Sequence, residues 1–277
     1  MAVLLALLCA TTYGVGDFFG GMATRRASAA AVVLWSHVVG LSLILAATVV
    51  VTGRVTARDL LIGALGGLAG AAGVGLLYKA LAIGPMSAVA PVTALLAAAV
   101  PVATGFVQGE RPDPLALVGM VGALVAIVLV SAEGGGSLRP SDPRAVVLAL
   151  GAGAGFGLFF VALSYTDDAA GMWPIVGARL ASVGLLGALA LGGRIDAALP
   201  RDTTRWLTAG AGALDVLANV LFLLASRVGL LSIVSVLSAL YPVSTVVLAH
   251  RVLKERYARL QQLGMAIALP ATILMAI

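Results

Sequence analysis

Four ionisable side chains stand inside otherwise apolar runs of this 277-residue chain: Asp17, His37, Arg179 and Asp215. A charge near the centre of a bilayer costs about 2.5–3.5 kcal/mol on insertion scales, so each demands a counter-charge or a water-filled cavity and marks a substrate or ion path by default. Asn219 lies one helical turn beyond Asp215 on the same face. A buried carboxyl or imidazole can carry a proton, which makes Asp17 and His37 candidate proton handlers. Arg179 keeps its charge and suits an anionic carboxylate or phosphate group. Tyr13, Trp35 and Tyr241 complete the candidate substrate- or ion-binding set, and Tyr241 precedes a proline that would free backbone carbonyls to line a site.

Depth suggests how the charges pair. At about 1.5 Å per residue, Asp17 and His37 sit at a common level, toward the loop that joins the first two spans. Asp215 lies near the centre of its span, within reach of a long Arg179 side chain. Each half of the chain would then hold one acid and one base. The alternative is a set of satisfied pairs that only fix helix register. A cavity lined from both halves is expected to reach at least one of the four charges.

Enzymatic readings find less support. Gly14-Val15-Gly16-Asp17 matches the GxGD pattern of intramembrane aspartyl proteases, with Asp215 as the second carboxylate. The expected Tyr-Asp helix before GxGD is missing, however: Leu214 precedes the other aspartate. No HExxH, Walker loop or GxSxG occurs. The lone Cys9 makes no thiolate cluster, so no cofactor or metal is expected. A channel or purely structural bundle is a further alternative.

The elements that must position these groups are membrane helices. The chain is 61% hydrophobic and 10% charged, with a mean hydropathy of +1.11, whereas soluble domains carry about 25% charged residues. Apolar runs of the length that crosses a bilayer predict ten spans: 2–22, 31–51, 60–80, 87–107, 113–131, 145–165, 173–193, 206–226, 230–250 and 258–277. The first lacks a basic leader and a cleavage site and reads as a retained span. The net charge of +5 sits in short loops rather than on one face, which argues against a nucleic-acid partner. Glu110 and Glu255 end their spans as turn or capping residues. Asp142, Asp167 and Asp168 read as solvated loop charges.

Those spans are written twice. Residues 80–132 and 225–277 align without a gap, with about a third of 53 columns identical. Gly84 falls on Gly229, Ser87 on Ser232, Glu110-Arg111 on Glu255-Arg256 and Gly119-Met120 on Gly264-Met265. The front ends match more weakly, Tyr13-Gly14 on Phe156-Gly157 and His37 on Arg179. This predicts an all-α membrane protein with residues 1–131 as one five-helix repeat, 132–144 as a Gly- and Pro-rich linker and 145–277 as the second repeat. Five crossings per copy force the second to enter from the opposite face, giving inverted repeats. Small residues at fourth positions, Gly63, Gly67, Ala71 and Gly75, supply close-packing surfaces.

Taken together, the two halves, the Gly109-Glu110-Arg111 and Lys254-Glu255-Arg256 turns, the Leu-Val-Gly-Met and Gln-Leu-Gly-Met openings of spans 5 and 10, and Tyr241-Pro242 resemble the ten-helix EamA group of the drug/metabolite transporter superfamily. Ala97 stands where that pattern would place the first half's proline. The resemblance implies a secondary active transporter, an exporter of a small metabolite, amino acid or drug, working by alternating access and in some members driven by protons. Fifteen arginines against two lysines, with abundant Ala and Gly, point to a high-GC bacterial genome and so to the bacterial inner membrane. The loops joining spans 1–2, 3–4, 5–6, 7–8 and 9–10 hold most of the arginines, which by the positive-inside rule puts both termini outside the cytoplasm. The resemblance implies cytoplasmic termini, and orientation stays open between the two.

Overall fold

A computed structural model of the chain describes residues 1–83, 86–131, 142–254, 256 and 258–277. Its helices are α1 (Ala2–Thr24), α2 (Ala29–Val50), α3 (Ala57–Ile83), α4 (Met86–Val107), α5 (Pro114–Ser131), α6 (Pro143–Ser164), α7 (Trp173–Leu191), α8 (Asp202–Val228), α9 (Leu231–Ser238), α10 (Tyr241–Leu253) and α11 (Arg259–Leu274). The predicted spans and these helices agree to within a few residues at each end. Nine helical runs among the described residues are long and apolar enough to cross a membrane, α9 and α10 counting together as one. The tenth predicted span is α11, whose 16 residues reach about 24 Å. Glu255, the side chain of Tyr78 and most of the linker lie outside the described residues.

The closest packing joins the two halves rather than helices of one half. Helix α1 lies on α8 and on α9 and α10, and α6 lies on the equivalent α3 and α4. Helix α2 packs on α7 and α8, α7 on α2 and α3, and α5 on α11. Exchanging the halves leaves this pattern unchanged, down to single residues. A Cβ on Gly67 would fall on the backbone of Ala178, and one on Gly212, 145 positions later, on the backbone of Ser36. Gly119 faces Ala271 and Met275 across the α5–α11 contact, while its repeat mate Gly264 faces Ala126 and Val130. These glycines have no side chain because helix backbones meet there, and dispersion between them replaces the hydrophobic drive that lipid removes.

Chain directions establish the inversion. His37 meets Ser182, and Gly40 meets Arg179, so α2 and α7, equivalent helices of the two halves, run antiparallel. The equivalent α5 and α11 are antiparallel as well. By contrast, α3 and α7 are parallel, with Gly63 against Pro174 and Gly67 against Ala178. Helices α2 and α8 run parallel in the same way.

The ninth span is broken. Pro242 enters at the second residue of α10, where it has no N–H to offer the carbonyl four residues earlier. The hydroxyls of Ser244 and Thr245 turn back onto the Tyr241 carbonyl at 2.9 and 3.2 Å. Ala97 occupies the matching position of the first half, and α4 runs through it uninterrupted, as it does through Pro91 and Pro101.

One face of the bundle is tied by polar contacts between loops. Arg227 donates to the carbonyls of Asp167 and Gly171 and pairs with the Asp168 carboxylate at 3.4 Å. The Asp59 carboxylate accepts from Asp167 N–H at 3.1 Å. Asp167 and Asp168 are therefore not plain solvated loop charges: Asp167 also caps a short 3-10 turn through Ala169 N–H, and Asp142 caps α6 through Arg144 N–H. Glu110 accepts from the N–H groups of Leu231 and Ser232 at 2.5 and 2.9 Å, so a carboxylate of the first half caps α9 of the second. Ion pairs and caps compete effectively with solvation there because those N–H groups have no intrahelical partner.

Candidate functional site

Arg179 is the only guanidinium among the described residues that is buried within a span. It projects from the second turn of α7, where small residues Gly177 and Ala178 allow close approach of α3. Its Nη2 is ion-paired with Asp215 Oδ2 on α8. The side chain of Arg179 is 7% exposed, while that of Asp215 is 35% exposed and so reachable from outside. The expected Arg179–Asp215 pairing is present. Arg179 Nε–H has no hydrogen-bond partner among the described residues and lies beside Gly40 of α2.

Asn219 extends the cluster one turn along α8. Its amide nitrogen donates to the Asp215 carbonyl at 2.9 Å and, at 3.4 Å, to the Asp215 carboxylate. Its carbonyl oxygen accepts the Tyr13 hydroxyl of α1 at 2.5 Å. The network therefore runs from α7 through α8 to α1 and crosses between halves at its last bond. Around it stand aromatic rings: Tyr13 meets Phe160 and Tyr241 edge-on at 6.1 and 6.5 Å, and Phe160 stacks on Phe222 at 4.2 Å. Phe160 and Phe222 carry no polar signal, and their role was not legible in the sequence.

Asp17 and His37 are not a pair. Helices α1 and α2 touch little, because each packs against the other half. His37 Nδ1 instead meets Ser182 Oγ of α7 at 3.0 Å, and Ser182 donates to the Arg179 carbonyl at 3.2 Å. Ser182 follows Arg179 by three residues, so helical spacing was the signal that could have found it. Asp17 is exposed, and the preceding Gly16 faces Leu214 and the Asp215 backbone nitrogen of α8. The two GxGD glycines explain its place: Gly14 closes on Ser244 and the Tyr241 carbonyl of α10, and Gly16 on Leu214 of α8 at 3.2 Å. They let α1 wedge between α8 and α10, which carries Asp17 toward the same neighbourhood as Asp215.

Trp35 stands apart from this cluster. Its indole N–H donates to the Ala197 carbonyl at 3.1 Å, and its ring lines a recess of about 210 Å³ between α2 and α8 with Leu199, Arg205 and Trp206. The other candidates converge: Tyr13, Asn219, Asp215 and Arg179 are joined by bonds, His37 reaches them through Ser182, and Asp17 and Tyr241 border them. Among the described residues, no group of three or more His, Cys, Asp or Glu side chains could hold a metal ion.

The family model for the EamA-like transporter family matches twice, over residues 1–132 and 143–277. A crystal structure of another protein superposes on all of this chain and 98% of its own, with a TM-score of 0.82 at 17% identity, a likeness of fold alone. No curated protein matches the sequence. Two copies of one membrane-helix unit, matched end to end and packed as inverted repeats around an ion pair, place this multi-pass membrane protein in the EamA-like transporter family.

Proposed function

We propose that the protein is a secondary active transporter of the bacterial inner membrane, exporting a small polar metabolite, amino acid or drug by alternating access, with protons as the driving ion. The observation that carries this reading is the Arg179–Asp215–Asn219–Tyr13 network. It places a charge pair where the halves meet, so relative motion of the halves acts directly on it. Among the described residues Arg179 keeps one N–H unpaired, buried beside Gly40 of the other half, so an anionic group of a substrate can take it once the halves move apart. Asp17, exposed beside this network, is the residue to which the driving proton is assigned, while Arg179 and Asp215 orient the substrate.

The protease alternative is disfavoured because its two aspartates would have to share one proton. Asp215 turns its carboxylate to the Arg179 guanidinium rather than to Asp17. Flux measured in proteoliposomes over amino acids, nucleosides and cationic drugs tests the proposal. Asp17→Asn should abolish transport driven by a pH gradient while leaving substrate–substrate exchange. Normal pH-driven transport by Asp17→Asn would remove proton coupling through that residue. Release of peptide from a membrane substrate, lost in the same variant, would favour the protease.

A further inference from the structure

The recess beside Trp35 is lined by none of the residues of the charge network and has a composition of its own. Trp35 and Val39 of α2 form one wall, and Arg205, Trp206 and Ala209 of α8 form the other, with Leu199 above them. Arg205 and Trp206 belong to the first turns of α8, which begins at Asp202, whereas Val39 lies ten residues into α2. At about 1.5 Å per residue the recess therefore runs from the level of the helix ends to roughly 15 Å below it. It is charged at the top and apolar below. Trp206 is 68% exposed, and the Arg205 guanidinium sits over its ring at 5.1 Å. A guanidinium over an aromatic face leaves its N–H donors free for an anionic partner.

Further arginines surround the top of the recess. Ser28 Oγ donates to the Asp196 carbonyl at 2.8 Å, and Trp35 donates to that of Ala197, so the α1–α2 loop is fastened to the α7–α8 loop. This brings Arg25 and Arg26 to the same corner as Arg194, Arg201 and Arg205. All five are exposed, and none forms an ion pair among the described residues. Only Asp196 and Asp202 oppose them along these segments. We infer that this corner is a binding site for an anionic phospholipid, its phosphate held by Arg201 and Arg205 and an acyl chain lying in the recess between Trp35 and Trp206. A zwitterionic lipid offers the same chain but a compensating ammonium group, so the charge around the recess selects the anionic headgroup.

Native mass spectrometry of the full-length protein, released from nanodiscs that contain equal phosphatidylglycerol and phosphatidylcholine, tests this. The wild type should retain phosphatidylglycerol in preference. At about one kcal/mol per basic residue near the membrane surface, Arg205→Gln should weaken retention roughly five-fold and the Arg201→Gln/Arg205→Gln pair roughly thirty-fold. Arg111→Gln, on the opposite face, should bind as the wild type does. Equal retention of the two lipids by the wild type overturns the inference. So does undiminished phosphatidylglycerol binding by the folded Arg205→Gln protein, or an equal loss in Arg111→Gln.

Discussion

The hydroxyl of Tyr13, in the first half, donates at 2.5 Å to the amide oxygen of Asn219, in the second. This single bond links the α1 helix to the Arg179–Asp215 pair, because the same Asn219 amide turns its nitrogen to Asp215. Any motion that separates α1 from α8 must break it or carry Asn219 along, so the polar network registers the relative position of the halves.

Tyr13→Phe keeps the ring contacts and removes only the donor. It leaves the Asn219 oxygen unpaired, a loss of about 1–3 kcal/mol. The expected result is a lower melting midpoint in detergent and a raised KM for the transported substrate. Wild-type values of both would show that the bond carries no weight.

Arg179→Ala leaves the Asp215 carboxylate without its partner. A fully buried pair would lose about 3–5 kcal/mol, and because Asp215 is 35% exposed solvent screening brings the expected loss to about 1–2 kcal/mol. The double variant Arg179→Met/Asp215→Leu should regain most of that stability, since a matched apolar pair is often no worse than the ions. It should still transport nothing. Restored transport in the double variant would reduce the pair to a packing device.

Glu110→Ala removes the acceptor for two N–H groups at the start of α9. A lost cap costs about 0.5–2 kcal/mol, and a charged one falls toward the upper end. Thermal unfolding in detergent should show the drop, with Glu110→Gln intermediate because its amide oxygen still accepts. Equal midpoints for wild type, Gln and Ala would contradict the capping role.

Gly67→Val and Gly212→Val should damage the protein to a similar degree, since both press a side chain onto the backbone of a helix from the other half. Gly75→Ala meets nothing within 4 Å and should be neutral or slightly stabilising, by up to about 1 kcal/mol, from helix propensity. Expression and monodispersity on size-exclusion chromatography give the ranking. Unequal effects at Gly67 and Gly212 would mean that the symmetry of the contacts does not extend to their energetics.

Much of the architecture was determined by sequence alone, and for a physical reason. Hydrocarbon tolerates no unpaired backbone, so an apolar run of the right length becomes a helix whatever its neighbours. An odd number of such runs per copy then inverts the second copy. The matched Gly119 and Gly264, read as a repeat signal, turned out to be mirrored contacts between α5 and α11. The ninth span breaks before Pro242 and α4 runs on through Ala97, but α4 also continues through Pro91 and Pro101, so a missing proline N–H does not alone decide where a span breaks. The ionisable residues stood out because charge in lipid is rare.

Helix packing, not the apolar pattern, sets which side chain meets which. Depth along a helix places Asp17 and His37 at one level, but rotation about the helix axis and the choice of neighbour set the contact. Those are not written in the pattern of apolar residues, because in a bilayer the lipid-facing side of a helix is as apolar as its buried side. The halves interleave, so His37 turns to Ser182, Asp17 to the neighbourhood of Asp215, and Trp35 away to the α7–α8 loop. Arg179 and Asp215 paired as depth suggested although α7 and α8 touch as little as α1 and α2, because an arginine is long enough to bridge the gap between them.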